Sequence, residues 1–431
     1  MVRVLLFATH VLSTNGYSYV GRNIARYLSK KDDIELTYWG FQHSYNIHGL
    51  EEDRKIPDNV QLIDALANEK VKEMGFGFNE VTDFVTMNKP DICIIFNDMV
   101  VVTNIIDKLN KVENKKFKII VYADQVYSCQ RKEHIETLNK HADFVICFTK
   151  YWEDCIKGQG MTVPTGVFEH GIDQGISYSI PKELARTYFN LNKDDFIIIN
   201  SNRNQPRKRL DLMVIAFAEI VSRHMDDPIK LLISTAPVGA WNLLEIYERE
   251  LKLRGVKIED GMKHVIFVDN PQMLTDEDMN ILYNTADVGL NTAMGEGFGL
   301  CNFQGGAIGI PQIVPNVGGF KDFFNRESAQ LIEPKVNLYT DATVDGCPGL
   351  AEICDYMDFV EAIEHYYADD ELRKKHSING KKYILENYQW EPLVDKLYGY
   401  IKEVHGPSKE NIVVDEKEII QKLKSKLKLR R

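Results

Sequence analysis

The residues best placed to do chemistry lie in the second half of the chain. Asn202-Arg203 and Arg207-Lys208 follow an apolar run, Phe196–Asn200, and Gly295-Glu296-Gly297-Phe298-Gly299-Leu300 follows another, Asp287–Leu290. Both runs read as short buried strands, so both clusters fall at strand carboxyl ends, where open α/β sheets bind ligands. A guanidinium grips two phosphate oxygens at once and a lysine ammonium acts as a point charge, so Arg203 and Lys208 suit a phosphate-bearing ligand. Glycines at 297 and 299 let the backbone come close to such a ligand, and the amides opening the helix-like run Cys301–Ile308 add partial positive charge there. Each cluster also has a plain alternative: a solvated basic loop for the first, a strand-to-helix turn for the second. Arg207 and Arg209 are ambiguous, and a water-facing position stays open for either.

Elements that position such clusters recur along the chain. Val2–Ala8, Asp91–Phe96, Phe117–Ala123 and Asp143–Phe148 read as strands of a first sheet, and Phe196–Asn200, Ile229–Ser234, Val265–Val268 and Asp287–Leu290 as strands of a second. Amphipathic stretches such as Tyr19–Ser29 alternate with them, the pattern of parallel strands joined by crossover helices. The expected fold is α/β, with two Rossmann-like doubly wound domains facing each other across a cleft. The expected limits are 1–175 for the first domain, 176–388 for the second, and 389–431 for a C-terminal helix returning to the first domain plus a basic tail. Asn337–Leu350 reads as a surface loop or insertion.

Composition bounds the rest. A chain of 431 residues fits two domains of roughly 200 residues each. A net charge of −11 argues against nucleic acid as a partner, because that affinity rests on neutralising many phosphates with Lys and Arg. The seven cysteines form no C-x-x-C pair, and most of them sit in apolar runs and read as reduced core residues. MVRVLLFATH reads as a first buried strand rather than a signal peptide, and no apolar stretch approaches the roughly 18 residues needed to span a membrane. The expected location is the cytoplasm.

The order of the motifs resembles a known family. Gly295–Leu300 contains the Glu-Gly-Phe-Gly-Leu signature of family 4 retaining glycosyltransferases of the GT-B fold. Asn202-Arg203 with Arg207-Lys208 is similar to the family's Gly-Arg…Lys diphosphate motif, and His170-Gly171-Ile172-Asp173 to its hinge-proximal Gly-(Ile/Val)-Asp segment. Pro315–Gly319 resembles the Gly-Gly turn after the next strand, and Gln389-Trp390 the aromatic start of the C-terminal crossing helix. The resemblance is dense over 165–335 and thin over 30–115.

What it implies is sugar transfer from a nucleotide-sugar donor to an acceptor hydroxyl of a glycan, glycoprotein or glycolipid, with retained anomeric configuration. Negative charge builds on the β-phosphate as the sugar becomes oxocarbenium-like, and Arg203 and Lys208 would meet that charge. By resemblance Glu296 holds the transferred sugar, while Asn202, Gly297, Phe298, Gly299 and Leu300 surround the donor. The family pattern continues Glu-x7-Glu, and here the second acid is replaced by Gln304, whose amide oxygen accepts a ribose hydroxyl more weakly than a carboxylate. In the first lobe Gly16 stands in the loop that caps the diphosphate, beside Asn15, a turn candidate. Asp124 stands where many relatives carry a sugar-contacting His, with a helix N-cap as its alternative. Asp269 would accept the two donors of a guanine base, which favours GDP-mannose as co-substrate over a UDP-sugar. His10 is either an acceptor-side or a structural residue.

No cofactor and no metal are expected. Asp276-Glu277-Asp278 matches an Asp-x-Asp metal motif, but Thr275 three residues before Asp278 reads better as the capped start of a helix. Lys422, Lys424, Lys426, Lys428, Arg430 and Arg431 interleave with Leu423, Leu427 and Leu429 in the tail, which leaves peripheral membrane contact open, as it leaves a homodimer open. A non-catalytic sugar-nucleotide-binding protein is the competing reading. A nicotinamide dehydrogenase is disfavoured, since the first strand-to-helix turn lacks G-x-G-x-x-G.

Overall fold

The structure, a computed structural model, describes residues 1–43, 54–268, 270–341 and 346–406; the basic tail lies outside them. Among these, seven parallel strands form a first sheet: β1 (Val2–Thr9), β2 (Ile34–Phe41), β3 (Gln61–Asp64), β4 (Ile92–Asp98), β5 (Lys118–Asp124), β6 (Phe144–Cys147) and β7 (Thr165–Val167). Six more form a second: β8 (Phe196–Asn200), β9 (Ile229–Ile233), β10 (Val265–Phe267), β11 (Val288–Leu290), β12 (Gln312–Pro315) and β13 (Ala329–Ile332). The spatial orders are β3-β2-β1-β4-β5-β6-β7 and β10-β9-β8-β11-β12-β13. Each reverses direction once, between β1 and β4 and between β8 and β11, and such reversals open a crevice at the strand carboxyl ends.

The strands are apolar on both faces because helices cover both sides. Residues 4–8 of β1 and 92–96 of β4 are almost wholly buried. β2, not among the strands read from sequence, carries Glu35 and Thr37 between buried Ile34, Leu36 and Tyr38, and it pairs with β1 over its whole length, from Val2 opposite Ile34 to Thr9 opposite Phe41. The segment read as a surface loop or insertion, Asn337–Leu350, contributes its described ends to an antiparallel pair, β14 (Val336–Thr340) and β15 (Gly349–Ile353). Its inner end docks on the first lobe: the Leu350 amide donates to Ser128 O at 2.9 Å, and Ala351 packs with Tyr127 and Met294. Val336, Leu338 and Tyr339 on the outer strand are exposed, which gives the segment its loop-like pattern.

The chain crosses between lobes twice on the hinge side. The Ile172 amide donates to Tyr388 O at 2.8 Å, and Gly171 lies against Trp390, the first residue of the helix Trp390–His405. That helix packs on the first lobe, where Tyr398 Oη donates to Asp33 at 2.8 Å, Lys402 pairs with Asp33 at 2.6 Å, and Tyr400 Oη donates to Val167 O at 3.1 Å. One apolar core results, running from β1 through Trp152 to Phe298, Phe303 and Phe323 of the second lobe and on to Leu397 and Ile401.

Two glycines separate packing from propensity. A Cβ on Gly171 would lie 2.7 Å from two Trp390 ring atoms and 2.9 Å from its Cα, so Gly171→Val should cost about 1–3 kcal/mol in urea unfolding. Gly399, inside the last helix, has nothing within 4 Å of that position, and Gly399→Ala should instead gain about 0.5–1 kcal/mol.

Candidate functional site

The two crevices face each other and merge into one cavity of about 480 Å³. From the first lobe it is lined by Ser13–Gly16 after β1, by Asp124 at the end of β5, and by His170 at the hinge. From the second lobe it is lined by Asn202, Arg203, Arg207 and Lys208 after β8, Ser234 and Thr235 after β9, and Glu296–Leu300 and Gln304 after β11. The structure thus brings together Gly16, Asp124, Asn202, Arg203, Lys208, Glu296, Gly297, Phe298, Gly299, Leu300 and Gln304. Asp269 lies outside the described residues.

Local sequence explains how each group is held. The turn Pro206–Lys208 opens on a proline and ends at Arg209, whose φ of +47° redirects the chain into the helix Leu210–Arg223. Thr292 Oγ1 donates to Lys208 O at 3.1 Å and Arg209 O at 2.9 Å, fixing that turn to the segment after β11. Lys208 and Glu296 are both buried, and the Lys208 ammonium donates to Glu296 Oε2. Burial lowers the Lys208 pKa and the Glu296 carboxylate works against that. The acid of the Gly-rich segment and the basic cluster after β8 thus meet as an ion pair, in which the lysine offsets the carboxylate's charge. Arg203, by contrast, is solvent-exposed at the cavity wall. Arg207 lines the cavity too, which settles its direction, and its backbone oxygen accepts from the Met294 amide at 2.9 Å.

The glycines of the Glu-Gly-Phe-Gly-Leu segment are required first by protein contacts. A Cβ on Gly297 would lie 2.1 Å from Asp124 Oδ1, and one on Gly299, at φ +91°, would lie 2.2 Å from the Phe320 ring. Gly318 and Gly319 press on the same strip from the other side, with Glu296 O 2.0 Å from a Cβ on Gly318. The Trp152 indole of the first lobe donates to Gly297 O at 2.7 Å. Phe298 turns its ring away into the core, against His170, Phe303 and Phe323, so only its backbone and ring edge border the cavity. The helix Leu300–Ile308 then points its amino end at the same space.

In the first lobe Gly16 is the first residue of the helix Gly16–Leu28, and Asn15 caps it by accepting from the Ser18 amide at 2.9 Å. A Cβ on Gly16 would lie 2.9 Å from Leu300 Cδ1, so the loop sits directly across from the Gly-rich segment. Asp124 is not a helix cap: it accepts from Tyr17 Oη at 2.5 Å, while its Oδ1 is buried without a partner. Burial pushes its carboxyl up to about 6 against the lowering effect of Tyr17. His170 is the residue that motif reading left at the hinge. It is buried among Phe96, Tyr122, Phe148 and Phe298, neither ring nitrogen has a partner, and burial lowers its pKa to about 3. A neutral imidazole in that place offers one donor and one acceptor to a bound hydroxylated ligand.

Two further clusters are accounted for differently. Thr275 and Asp278 form a reciprocal capping box, and Asp278 also accepts from Tyr188 Oη at 2.7 Å, so the Asp-x-Asp acids serve the helix start and its neighbours. His10, His43 and Asp64 meet at the ends of β1, β2 and β3, with His43 Nδ1 at 2.6 Å from Asp64 Oδ2. The two imidazoles stack at 3.8 Å and 14°, and His10 Nδ1 accepts from the Leu12 amide at 3.3 Å.

Because the native Asp124 carboxyl titrates above its unfolded value near 3.8, the folded state holds its proton more tightly, and its ionisation weakens the fold as pH rises between about 4 and 6. Asp124→Asn should therefore gain stability relative to the parent across that window, by on the order of 2–3 kcal/mol at pH 7. Unfolding curves of both proteins at pH 4 and pH 7 check this; a constant difference would place the carboxyl in water.

Comparison with known proteins agrees with this geometry. Residues 181–383 match the family described as Glycosyl transferases group 1. Sucrose-phosphate synthase from Thermosynechococcus elongatus superposes with a TM-score of 0.71 at 15% identity, over 94% of this chain and 99% of that one. HepE from Anabaena, solved in complex with UDP-glucose, gives 0.69 at 12% identity over 93% and 99%. WaaG, a glycosyltransferase involved in lipopolysaccharide biosynthesis, gives 0.62 at 15% identity over 91% and 98%. No curated protein matches significantly by sequence. Two doubly wound sheets closing on one cavity give the chain the GT-B fold of these structures, and its second lobe matches the group 1 glycosyltransferase family over residues 181–383.

Proposed function

We propose that the protein moves a hexose from a nucleoside-diphosphate sugar to a hydroxyl of a carbohydrate-type acceptor, with retention at the anomeric carbon. The observation that carries this reading is the convergence of Arg203, Arg207, Lys208 and the amino end of the helix Leu300–Ile308 on one side of a single cavity, with the Gly16 loop opposite. Five cationic side chains line that cavity against three carboxylates, in a chain whose net charge is −11. A diphosphate fits such a wall, and in this reading it displaces Glu296 from Lys208. Freed of the ammonium, the Glu296 carboxylate turns to the sugar, while Lys208 follows the charge growing on the leaving phosphate. Asp124 Oδ1 and His170, buried and unpartnered on the cavity floor, take sugar hydroxyls. Gln304 serves the ribose as an acceptor.

For the donor we place UDP-sugars ahead of GDP-mannose. The guanine argument rests on Asp269 alone, whereas UDP and UDP-glucose are the ligands named for HepE. In this reading the side-chain cations and helix amides neutralise the diphosphate without a divalent ion.

Calorimetric titration with UDP-glucose, UDP-N-acetylglucosamine, GDP-mannose and NAD, without metal, should give saturable binding of one sugar nucleotide. Binding of NAD alone would overturn the reading. Lys208→Ala should lower turnover, measured as nucleoside diphosphate release, on the order of 10²–10³-fold, with EDTA leaving the parent rate unchanged. A loss confined to stability would remove Lys208 from the chemistry.

A further inference from the structure

Asp276 does more than open a helix. Its two carboxylate oxygens accept from two arginines of the opposite lobe: Arg22 Nη2 at 2.6 Å and Arg54 Nη2 at 2.8 Å. The arginine side chains are 1% and 5% exposed and the aspartate 20%. Arg22 comes from the helix Gly16–Leu28 and Arg54 from a separate segment before β3, so two independent parts of the first lobe converge on one acid of the second. The same guanidiniums hold the loop after β1. Arg22 Nη1 donates to Val11 O at 3.4 Å, and Arg54 Nη1 donates to Leu12 O at 3.2 Å and Ser13 O at 3.1 Å.

This cluster lies on the cavity wall, about one turn along the helix Gly16–Leu28 from Tyr19, whose hydroxyl donates to Gly171 O and accepts from the Asp173 amide beside the hinge. Swinging the lobes apart would break both charge-assisted bonds to Asp276 and open the two guanidiniums to water, which competes with their hold on the loop carbonyls. The planar fork of each guanidinium also fixes direction, so the loop carbonyls and Asp276 are held in one arrangement or released together.

We propose that Arg22, Arg54 and Asp276 form a latch that ties closure of the lobes to ordering of the loop Val11–Gly16, making Asp276 a positioning residue for sugar transfer. Opening the mouth releases the loop; closing it sets the Asn15-Gly16 amides toward the diphosphate. The role assigned to the loop's ligand rests on the transferase reading, whereas the latch itself does not.

The test compares the full chain with Asp276→Asn, Arg54→Gln, the double variant, and Asp276→Glu. Hydrogen exchange of peptides spanning residues 11–18 should quicken in Asp276→Asn, and small-angle scattering should show a larger radius of gyration without ligand. Donor KM should rise roughly fivefold or more with a smaller change in kcat, the span typical of coupled sites. The double variant should be no worse than Asp276→Asn alone, since both break one cluster, and Asp276→Glu should recover part of the loss. Unchanged exchange and scattering in Asp276→Asn, or fully additive effects in the double variant, would overturn the latch. If Arg54→Gln does not fold, the two Asp276 variants decide, because that side chain is partly in water at a helix start. Should the parent bind no sugar nucleotide, the transferase reading fails while exchange and scattering still judge the latch.

Discussion

The cleft is organised around a strip of backbone, Glu296–Phe298, packed so closely that no side chain fits at Gly297 within it or at Gly318 and Gly319 against it. Asp124 and Trp152 reach it from the first lobe, and Gly318 and Gly319 press on it from the second. This close approach sets where Glu296 stands, turns the Phe298 ring into the shared core, and aims the helix that follows at the cavity. A glycine-rich motif of this kind is first a packing solution, and its use in holding a ligand follows from the packing.

Charge is arranged with the same economy. The cavity is lined by cations in a chain that is acidic overall, and two of its three carboxylates are held by those cations: Glu296 by Lys208, Asp276 by Arg22 and Arg54. The third, Asp124, is buried with only a tyrosine hydroxyl for company and so titrates high. The two paired carboxylates offset the charge of the cations around them, since like charges left unmatched in a buried site repel.

Much of this was legible in the sequence, for physical reasons. Strands such as Phe196–Asn200 are apolar on both faces and stand out as runs, and the clusters that follow them fall at carboxyl ends by topology alone. β3, half exposed, and β7, three residues long, carry too little pattern to be read. The pair of β14 and β15 was hidden because its outer strand is wet and its inner strand packs across the lobes, against Tyr127 of the first and Met294 of the second. Arg22, Arg54 and Asp276 escaped notice because their meeting depends on how the lobes sit together, which no local spacing encodes. The capped helix start at Thr275 was readable, since a capping box is complete within four residues.

The helix Trp390–His405 belongs in space to the first lobe and in sequence to the far end of the chain. During synthesis the ribosome therefore releases the whole first sheet long before the piece that covers it. Until residues 390–405 emerge, the nascent first lobe presents an unfinished apolar seam where Leu397 and Ile401 will sit, and the second lobe must be made in the interval. Translation order thus places completion of the first lobe after synthesis of the second.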